Sequence, residues 1–439
     1  MPTPNSWPGM SRIRTAEAGA SHALIWGNHR MRVLILGLNY APEPVGIGAY
    51  TTGLAEALVA RGHEVDVLAG KPYYPQWRAY EGQPKGRTRT VENGVSITRV
   101  PHYIPAHPSG AQRIAHHLSF AVSANYASGP SLRKRPDLVF TVAPSLLSVP
   151  VAARIARKAG VPLWLHIQDF EVEAAFATGL IKGGSGAAGM ARKVENRIIG
   201  MADIVSTISP QMCERLSVKG VPAERIYELR NWSNAAFDFS RANSSAYRRE
   251  WRLGDRKVAL YSGNIANKQG LEILIEAARL LHDRQDLAFV ICGEGPNRQR
   301  LAALAAGLEN VQFHDLQPSE RMADFLSLAH VHLLPQIVGA ADLVLPSKLT
   351  NMLASGRPVV ATAEAGTGLF DEVDGCGLNT TPGDAEALAE GIARLADDEP
   401  LRAELGANAR KRAAERWSQA AIIDRLEARL KSVQRKDRA

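Results

Sequence analysis

The stretch that decides the fold is Tyr261-Ser-Gly-Asn-Ile-Ala-Asn-Lys-Gln-Gly270. A short apolar run precedes it, and after it apolar residues recur at helical spacing: Leu271, Leu274, Ile275, Ala278 and Leu281. We therefore expect a strand, a loop and a helix at 268–282. Free N–H groups and the helix dipole favour an anion at such a helix start, and Gly263 permits close approach of the backbone. Lys268 adds a positive charge, so the pattern predicts an anion site; the alternative is an ordinary glycine turn with a solvated lysine.

The length and composition indicate a folded protein of two domains. A chain of 439 residues exceeds the size at which a single core keeps growing, and 45% hydrophobic residues is ordinary for a globular protein. The three cysteines, Cys213, Cys292 and Cys376, are far apart and lack metal-ligand spacing, which suits packed thiols in a reducing compartment. No apolar run is long enough for a membrane span, and residues 1–30 lack the apolar core of a signal peptide. A cytoplasmic location is expected.

The positive charge is concentrated in the N-terminal half. Residues 1–235 carry 26 Lys and Arg against 16 Asp and Glu, whereas residues 236–439 carry 26 against 28. This asymmetry favours an anionic partner of the N-terminal half, either a nucleic acid or a membrane surface; an ordinary basic surface is the alternative. No recognisable nucleic-acid-binding module accompanies the basic excess, so a nucleic-acid partner is not expected.

The chain before residue 236 alternates strands and helices. Residues 1–30 lack periodicity and are expected to be a disordered extension, with the N-terminal domain at 31–235. The first strand is followed by the turn Gly46-Ile-Gly48 at a helix start, where a phosphate or a sugar could approach. Parallel strands linked by helices imply a doubly wound sheet of the α/β class, with ligands beyond the carboxyl ends of the strands.

Three further features of this half could contact a ligand or a membrane. The aromatic loop Pro72–Trp77 suits sugar stacking, a lipid headgroup or plain packing. A helix from Arg113 to Tyr126, close to the basic cluster Arg133–Arg135, can lie on an anionic membrane or simply pack on its sheet. His166 and Asp169 follow a strand and should lie at the rim of the cleft, where they could bind and polarise a ligand.

The second half repeats the alternation after a stretch, residues 235–250, that has the character of a linker. It predicts a second Rossmann-like domain at 236–417, with a glycine turn at Gly293–Pro296. Ser347 and Lys348 open a second cationic helix start, which could meet the same diphosphate as Lys268. Residues 418–439 are expected to form a final basic helix that can cross back to the N-terminal domain.

Taken in order, these motifs resemble those of retaining glycosyltransferases of family GT4, which have the GT-B fold. The resemblance spans about 31 to 434. Five longer sequence segments are similar to those of the colanic-acid fucosyltransferase subgroup: Asn39–Pro42, Pro72–Trp77, His166–Asp169, Tyr261–Ile265 and Leu345–Asn351. The resemblance implies a C-terminal domain that binds a nucleotide-sugar, with GDP-fucose suggested. It also implies an N-terminal domain that receives a lipid-linked (polyprenyl-diphosphate) saccharide acceptor at the cytoplasmic face of the inner membrane, where the protein would be peripheral.

The resemblance also assigns site residues. His166, Asp169 and Lys268 are the predicted catalytic residues, and the predicted substrate-binding residues are Gly46, Gly48, Gly263, Asn264, Lys268, Gly293, Glu294, Asp342, Ser347, Lys348 and Asn351. Three positions depart from the family pattern. Asn264 replaces an arginine, Asn351 replaces the glutamate that holds the ribose, and Leu343 stands where a second glutamate is usual, with Asp342 the nearest carboxylate.

The sequence has no D-x-D triplet, so no metal cofactor is expected. Lys268, Lys348 and backbone N–H groups would instead stabilise the charge that develops on the leaving nucleoside diphosphate. Two other functions fit the same pattern. A sugar-nucleotide 2-epimerase of the same fold would need acid-base groups around the sugar but no lipid acceptor, and a non-catalytic membrane-associated scaffold would bind no nucleotide.

Overall fold

The computed structural model describes residues 30–43, 46–74, 76–106, 109–170, 185–233, 237–265, 270–337, 346 and 348–436. They form two α/β domains, each built on a largely parallel sheet with helices on both faces. The predicted fold class of two Rossmann-like domains is therefore confirmed. No helix among the described residues has both the length and the apolarity needed to cross a membrane.

The N-terminal sheet has eight strands in the order β3-β4-β2-β1-β5-β6-β7-β8. Every neighbouring pair is parallel except β3 with β4. The strands are β1 (Arg32–Gly37), β2 (Glu64–Gly70), β3 (Thr88–Glu92), β4 (Val95–Val100), β5 (Leu138–Ala143), β6 (Leu163–Ile167), β7 (Ile204–Thr207) and β8 (Ile226–Glu228). β1 is the switch point of this sheet, because the strand that follows it in sequence, β2, lies on one side and β5 lies on the other. In such sheets ligands bind at the carboxyl end of the switch-point strand, which here is the loop after β1.

Helices cover both faces of this sheet because its central strands are apolar on both sides. Along β1, Leu34 and Leu36 pack into one layer, whereas Val33 and Ile35 pack into the other. The helices are α1 (Ile47–Ala60), α2 (Gly110–Ala127), α3 (Gly129–Arg133), α4 (Val149–Ala159), α5 (Ser185–Ile199) and α6 (Pro210–Val218).

The C-terminal sheet has six parallel strands in the order β11-β10-β9-β12-β13-β14. They are β9 (Lys257–Ser262), β10 (Leu287–Cys292), β11 (Val311–His314), β12 (Val331–Leu334), β13 (Val359–Thr362) and β14 (Gly377–Thr380). Its helices are α7 (Ser245–Glu250), α8 (Glu272–Leu280), α9 (Arg298–Leu304), α10 (Met322–Ser327), α11 (Lys348–Ala354), α12 (Gly368–Val373), α13 (Ala385–Asp397) and α14 (Glu399–Arg416). The order reverses at β9, so the stretch that begins with Tyr261 leaves this sheet at its switch point.

The last helix, α15 (Gln419–Lys436), packs on the N-terminal domain. Its apolar face, which includes Ile423 and Leu426, joins the core beside β1 and α1. Asp424 accepts a 2.6 Å hydrogen bond from Arg61, and Glu427 lies 2.9 Å from the ring of His63. The chain thus returns across the domain boundary and ties the end of the second domain to the first.

The structure differs from the sequence-based interpretation in three places. The hairpin of β3 and β4 was not anticipated. The stretch interpreted as a linker contains α7, whose Tyr247 is buried in the C-terminal core together with Trp251. The helix expected at 268–282 runs only from Glu272 to Leu280, because Gly270 has a φ of 62° and lies outside the helix.

Candidate active site

The C-terminal side of the candidate site is built from backbone. The loops after β9 and β10 lie against each other: the N–H of Gly263 donates to Cys292 O at 3.0 Å, and that of Ile265 donates to Glu294 O at 2.8 Å. A Cβ added at Gly293 would lie 1.9 Å from Gly263 O, and one at Gly295 would lie 2.2 Å from Ile265 O. Two glycines are therefore required for the loops to approach this closely.

Lys348 lies beside these loops. Its Nζ is 4.1 Å from the ring centroid of Tyr261 and would be 3.4 Å from a Cβ at Gly263. Desolvation lowers the pKa of Lys348 to about 7. Within the part of the chain that the structure describes, no carboxylate lies within ion-pair distance of this amine, so its cation is stabilised there by the face of the tyrosine ring. An anion bound here would favour the protonated lysine.

The structure describes three of the remaining predicted residues of this domain, Asn264, Glu294 and Asn351. Glu294 lies on the loop after β10, half exposed, and accepts a 2.5 Å hydrogen bond from Arg298, which also pairs with Asp315. Asn264 follows Gly263, and its carbonyl accepts the Tyr261 hydroxyl at 2.7 Å. Asn351 is partly buried on α11. Lys268, Asp342 and Ser347 lie outside the described residues.

His166 lies at the end of β6 inside a hydrogen-bonded network. Its Nε2 lies 3.0 Å from the amide nitrogen of Gln168, and its Nδ1 lies 2.9 Å from Ser206 Oγ. Gln168 in turn forms a reciprocal amide pair with Asn231, at 2.8 and 2.9 Å. Burial lowers the pKa of His166 to about 3, so the ring is neutral at physiological pH. Only 4% of His166 is exposed, and Gln168 occupies the hydrogen-bonding position at its Nε2.

Asp169 is the exposed neighbour of this network at the rim of the cleft. A small cavity opens next to His166. Its lining includes side chains from α1, from the loop after β6 and from the segment after β8: Tyr50, Thr51, Gln168, Arg230, Asn231 and Trp232. The sequence identified His166 and Asp169 by their position after a strand. It gave no role to Gln168 or Asn231, because their pairing joins positions that are 63 residues apart.

Glu43 fixes the turn before α1 and the aromatic loop after β2 to one another. Its carboxylate accepts hydrogen bonds from the backbone N–H groups of Tyr73 and Tyr74, at 2.9 and 3.1 Å, and from the Asn39 amide at 2.8 Å. Burial raises the pKa of the Glu43 carboxyl, and these three donors oppose the shift. A Cβ on Gly48 would lie 3.0 Å from this carboxylate. Glu43 thus joins the turn before α1 to the aromatic loop.

Gly46 and two histidines complete this side. Gly46 has a φ of 67° at the start of α1, and a Cβ there would lie 3.8 Å from the Tyr74 ring. His116 packs against Tyr73 and against His102, with ring centroids 4.7 and 4.9 Å away. Burial lowers the pKa of His102 to about 3 and that of His116 to about 4. The aromatic loop therefore rests on neutral imidazoles.

The two domains meet at a buried ion pair. Arg230, which follows β8, donates a 2.6 Å hydrogen bond to Glu372 on α12 and lies over the ring of Trp417, with Cζ 4.7 Å from the centroid. The indole N–H of Trp417 donates to the second oxygen of Glu372 at 3.3 Å. This cluster fixes the segment between α14 and α15 and links the two sides of the site.

Comparison with known proteins gives two adjoining family matches. Residues 45–232 match the glycosyl transferase 4-like domain, and residues 243–412 match glycosyl transferases group 1. A putative colanic acid biosynthesis glycosyl transferase, WcaI of Escherichia coli K12, is 41% identical over 372 residues, which cover 82% of this chain and 91% of the relative. The alpha-D-kanosaminyltransferase of Streptomyces kanamyceticus is 30% identical over 281 residues, which cover 62% of this chain and 71% of the relative.

Solved structures show the same fold. Anabaena HepE in complex with UDP superposes with a TM-score of 0.65 at 17% identity, over 92% of this chain and all of HepE. WaaG, a glycosyltransferase involved in lipopolysaccharide biosynthesis, superposes with a TM-score of 0.59 at 18% identity, over 89% of this chain and 98% of WaaG. Together with the family matches and the two facing α/β domains, these similarities establish that the chain belongs to the group 1 (GT4) glycosyltransferases of the GT-B fold.

Proposed function

We propose that the protein transfers a sugar, with retention of configuration, from a nucleotide-sugar to a lipid-linked (polyprenyl-diphosphate) saccharide during exopolysaccharide biosynthesis of the colanic-acid type. The donor that we propose is GDP-fucose. The relatives support a glycosyltransferase of exopolysaccharide synthesis, and HepE supports a nucleotide-sugar site on this fold because it has been crystallised with UDP and with UDP-glucose.

The observation that carries the proposal is the desolvated Lys348 beside the glycine loops. Burial disfavours its cation and lowers its pKa to about 7, and no described carboxylate lies within ion-pair distance to offset this. A nucleoside diphosphate would supply the missing negative charge, and the glycines would let its phosphates approach the backbone. As the glycosidic bond breaks, charge develops on the leaving diphosphate, and Lys348 and Lys268 would stabilise it.

On the opposite side, His166 would contact the donor sugar and Asp169 would orient the sugar or the acceptor hydroxyl, which attacks from the face that the diphosphate leaves. Both nitrogens of His166 are engaged in the described structure, so its role begins with a shift of Gln168. Because its pKa is depressed, we assign His166 to hydrogen bonding and not to charge stabilisation.

The proposal requires no metal. It assigns the compensation of diphosphate charge to lysines and backbone, so transfer should continue in excess EDTA at the rate measured without chelator. A strict requirement for added Mg²⁺ or Mn²⁺ would contradict this part of the proposal. We place the reaction at the cytoplasmic face of an anionic inner membrane, with the protein bound peripherally.

A panel of nucleotides tests the donor. Thermal unfolding should be followed with GDP, UDP, ADP and dTDP, because a ligand at one hundred times its dissociation constant stabilises a protein by about 2.7 kcal/mol. We expect GDP to reach this effect at the lowest concentration. If UDP stabilises and GDP does not, the fucosyl assignment fails and glycosyl transfer stands. If no nucleotide stabilises the protein, the proposed function itself is wrong.

A further inference from the structure

One face of α2 exposes an unusual series of apolar side chains. Ile114, Leu118, Val122 and Tyr126 recur at intervals of four residues, with exposed fractions of 57, 51, 49 and 82%. The opposite face of the helix is buried against the domain, where His116, Phe120 and Ala124 pack. Core packing therefore does not explain the exposed series, and we call these four side chains the α2 stripe.

The sequence segment that contains the α2 stripe has charged side chains of one sign only. The sequence from Asn93 to Pro136 contains no Asp or Glu and contains five Lys and Arg, of which Arg133 and Arg135 are exposed just beyond the end of the helix. Two of these cations are paired with carboxylates outside the segment, Arg99 with Glu92 and Lys134 with Asp66, whereas Asp137 accepts the backbone N–H of Arg32. An anionic partner would meet no opposing carboxylate within the segment.

The α2 stripe begins beside the aromatic loop after β2, which contains Tyr73 and Trp77. Arg113, next to Ile114, lies over the ring of Trp77 with its Cζ 5.4 Å from the centroid, and the buried face of the same turn places His116 against Tyr73. A partner seated along the stripe would therefore lie beside the aromatic loop. A helix with exposed apolar side chains and flanking cations has the composition of an interfacial membrane helix.

We propose that the α2 stripe is the membrane-docking surface and that its occupant is an anionic lipid surface, into whose headgroup region Leu118, Val122 and Tyr126 insert. The inference rests on the proposed function only for the reason for docking, which is to bring the acceptor loops to a lipid-linked saccharide. A second copy of the chain is the alternative occupant of this apolar face. Vesicle cosedimentation and sedimentation velocity distinguish the two occupants.

The test is cosedimentation of the full chain with vesicles of phosphatidylcholine and phosphatidylglycerol. Leu118→Glu should weaken binding at least about tenfold, because it places a carboxylate at the interface in exchange for an apolar contact. The matched control is Leu280→Glu, at the end of α8 in the other domain, whose side chain is 52% exposed. We expect this control to bind as the unmodified chain does.

The basic flank is tested separately with Arg133→Gln and Arg135→Asn. Asn is chosen at 135 because Arg135 has a φ of 51°, which Asn tolerates. Each change should weaken binding about fivefold, the equivalent of roughly 1 kcal/mol for one charge near an anionic surface. Lys411→Gln, an exposed position on α14, serves as the control.

The outcomes separate this proposal from the proposed function. Failure of the unmodified chain to bind these vesicles, equal binding of Leu118→Glu, or equal binding to purely neutral vesicles would each overturn the docking surface, whatever the enzyme transfers. A dimer in sedimentation velocity that Leu118→Glu dissociates would assign the stripe to a second copy and also overturn it. Selective loss of vesicle binding with unchanged nucleotide-induced stabilisation would support it, even if the GDP-fucose assignment fails.

Discussion

The two sides of the candidate site are built by different means. In the C-terminal domain the described parts of the loops after β9 and β10 contact each other through backbone groups, with Gly293 against Gly263. Lys348 lies beside them. In the N-terminal domain the same region of the sheet carries networks of side chains around His166 and Glu43. The first arrangement suits a phosphate, because N–H groups need only close approach.

The second arrangement suits a ligand with hydroxyl groups and a defined shape. Amides, imidazoles and carboxylates provide directional donors and acceptors, and aromatic rings provide flat surfaces for sugars. The difference predicts that damage on the two sides has different consequences. Changes in the C-terminal loops should affect nucleotide binding and local stability, whereas changes in the N-terminal networks should affect transfer more than nucleotide binding.

The largest effect is expected from Gly293→Ala. The new methyl group would lie 1.9 Å from the Gly263 carbonyl oxygen, so the two loops must separate. We expect the free energy of unfolding of the C-terminal domain to fall by about 3 kcal/mol, the upper part of the range for overpacking, together with loss of nucleotide binding. Urea unfolding and calorimetry with GDP measure the two effects.

Gly86→Ala is the control for this change, because an added Cβ there meets no atom within 4 Å. It should alter stability by no more than about 0.5 kcal/mol. If Gly293→Ala behaves like Gly86→Ala, the close approach of the two loops does not matter and the description of this side as backbone-built is wrong.

The next largest effect is expected from removing the cations, by Lys268→Ala or by Lys348→Met. Each should lower turnover by about two orders of magnitude, the scale for losing one group that stabilises charge in the transition state. The measurement is kcat with saturating donor. Turnover like that of the unmodified enzyme in either variant would remove that lysine from the predicted site.

A smaller effect on the rate, and none on nucleotide affinity, is expected from His166→Ala. Transfer should fall about tenfold or more because the donor sugar loses a positioned contact and Gln168 keeps only its pairing with Asn231. Calorimetry with GDP should give an unchanged affinity, since His166 belongs to the other domain. Ser206→Ala is the matched control, because it removes the second hydrogen bond of the ring and leaves the imidazole present. Equal losses of affinity and rate in His166→Ala would contradict the division between the two sides.

The sequence predicted the parts of this structure that depend on local pattern. Alternating apolar runs and helical periods identified the strands that carry His166 and Tyr261, because burial on both faces leaves a continuous apolar signal. It did not predict the hairpin of β3 and β4. β3 (Thr88–Glu92) is mostly exposed at the edge of the sheet, where polar residues replace the apolar pattern. The short helix α7 was missed because only Tyr247 of its six residues is buried.

The sequence predicted site residues only where a local motif carried the signal. Lys348 and Gly263 were identified from two separate motifs, and the structure brings them close together. Glu43 was not identified, because its role depends on N–H groups 30 residues away, and the Arg230–Glu372 pair joins residues 142 apart. Such partnerships depend on how the domains fold and pack, and a single sequence contains no periodicity that reports them.

The smallest expected effect is a proton taken up when the nucleotide binds. In the free protein, desolvation holds the pKa of Lys348 at about 7, so at pH 8 roughly nine tenths of the amines are neutral. A bound diphosphate favours the cation and raises this pKa. At pH 8 the terminal phosphate, whose second pKa is about 6, is already ionised and releases almost no proton of its own. We therefore expect uptake of almost one proton at pH 8 and about half a proton at pH 7.

The uptake is measured by titration calorimetry in buffers of different ionisation enthalpy. Because protons are consumed, nucleotide affinity should weaken as pH rises from 7 to 9, approaching tenfold per pH unit when uptake is complete. Lys348→Arg is the control, since a guanidinium stays charged throughout this range and should abolish the uptake. Uptake that persists in Lys348→Arg would assign the titration to another group. Absence of uptake in the unmodified protein would mean that the diphosphate does not bind beside Lys348. The assignment of the C-terminal loops as the phosphate-binding side would then have no described cation to support it.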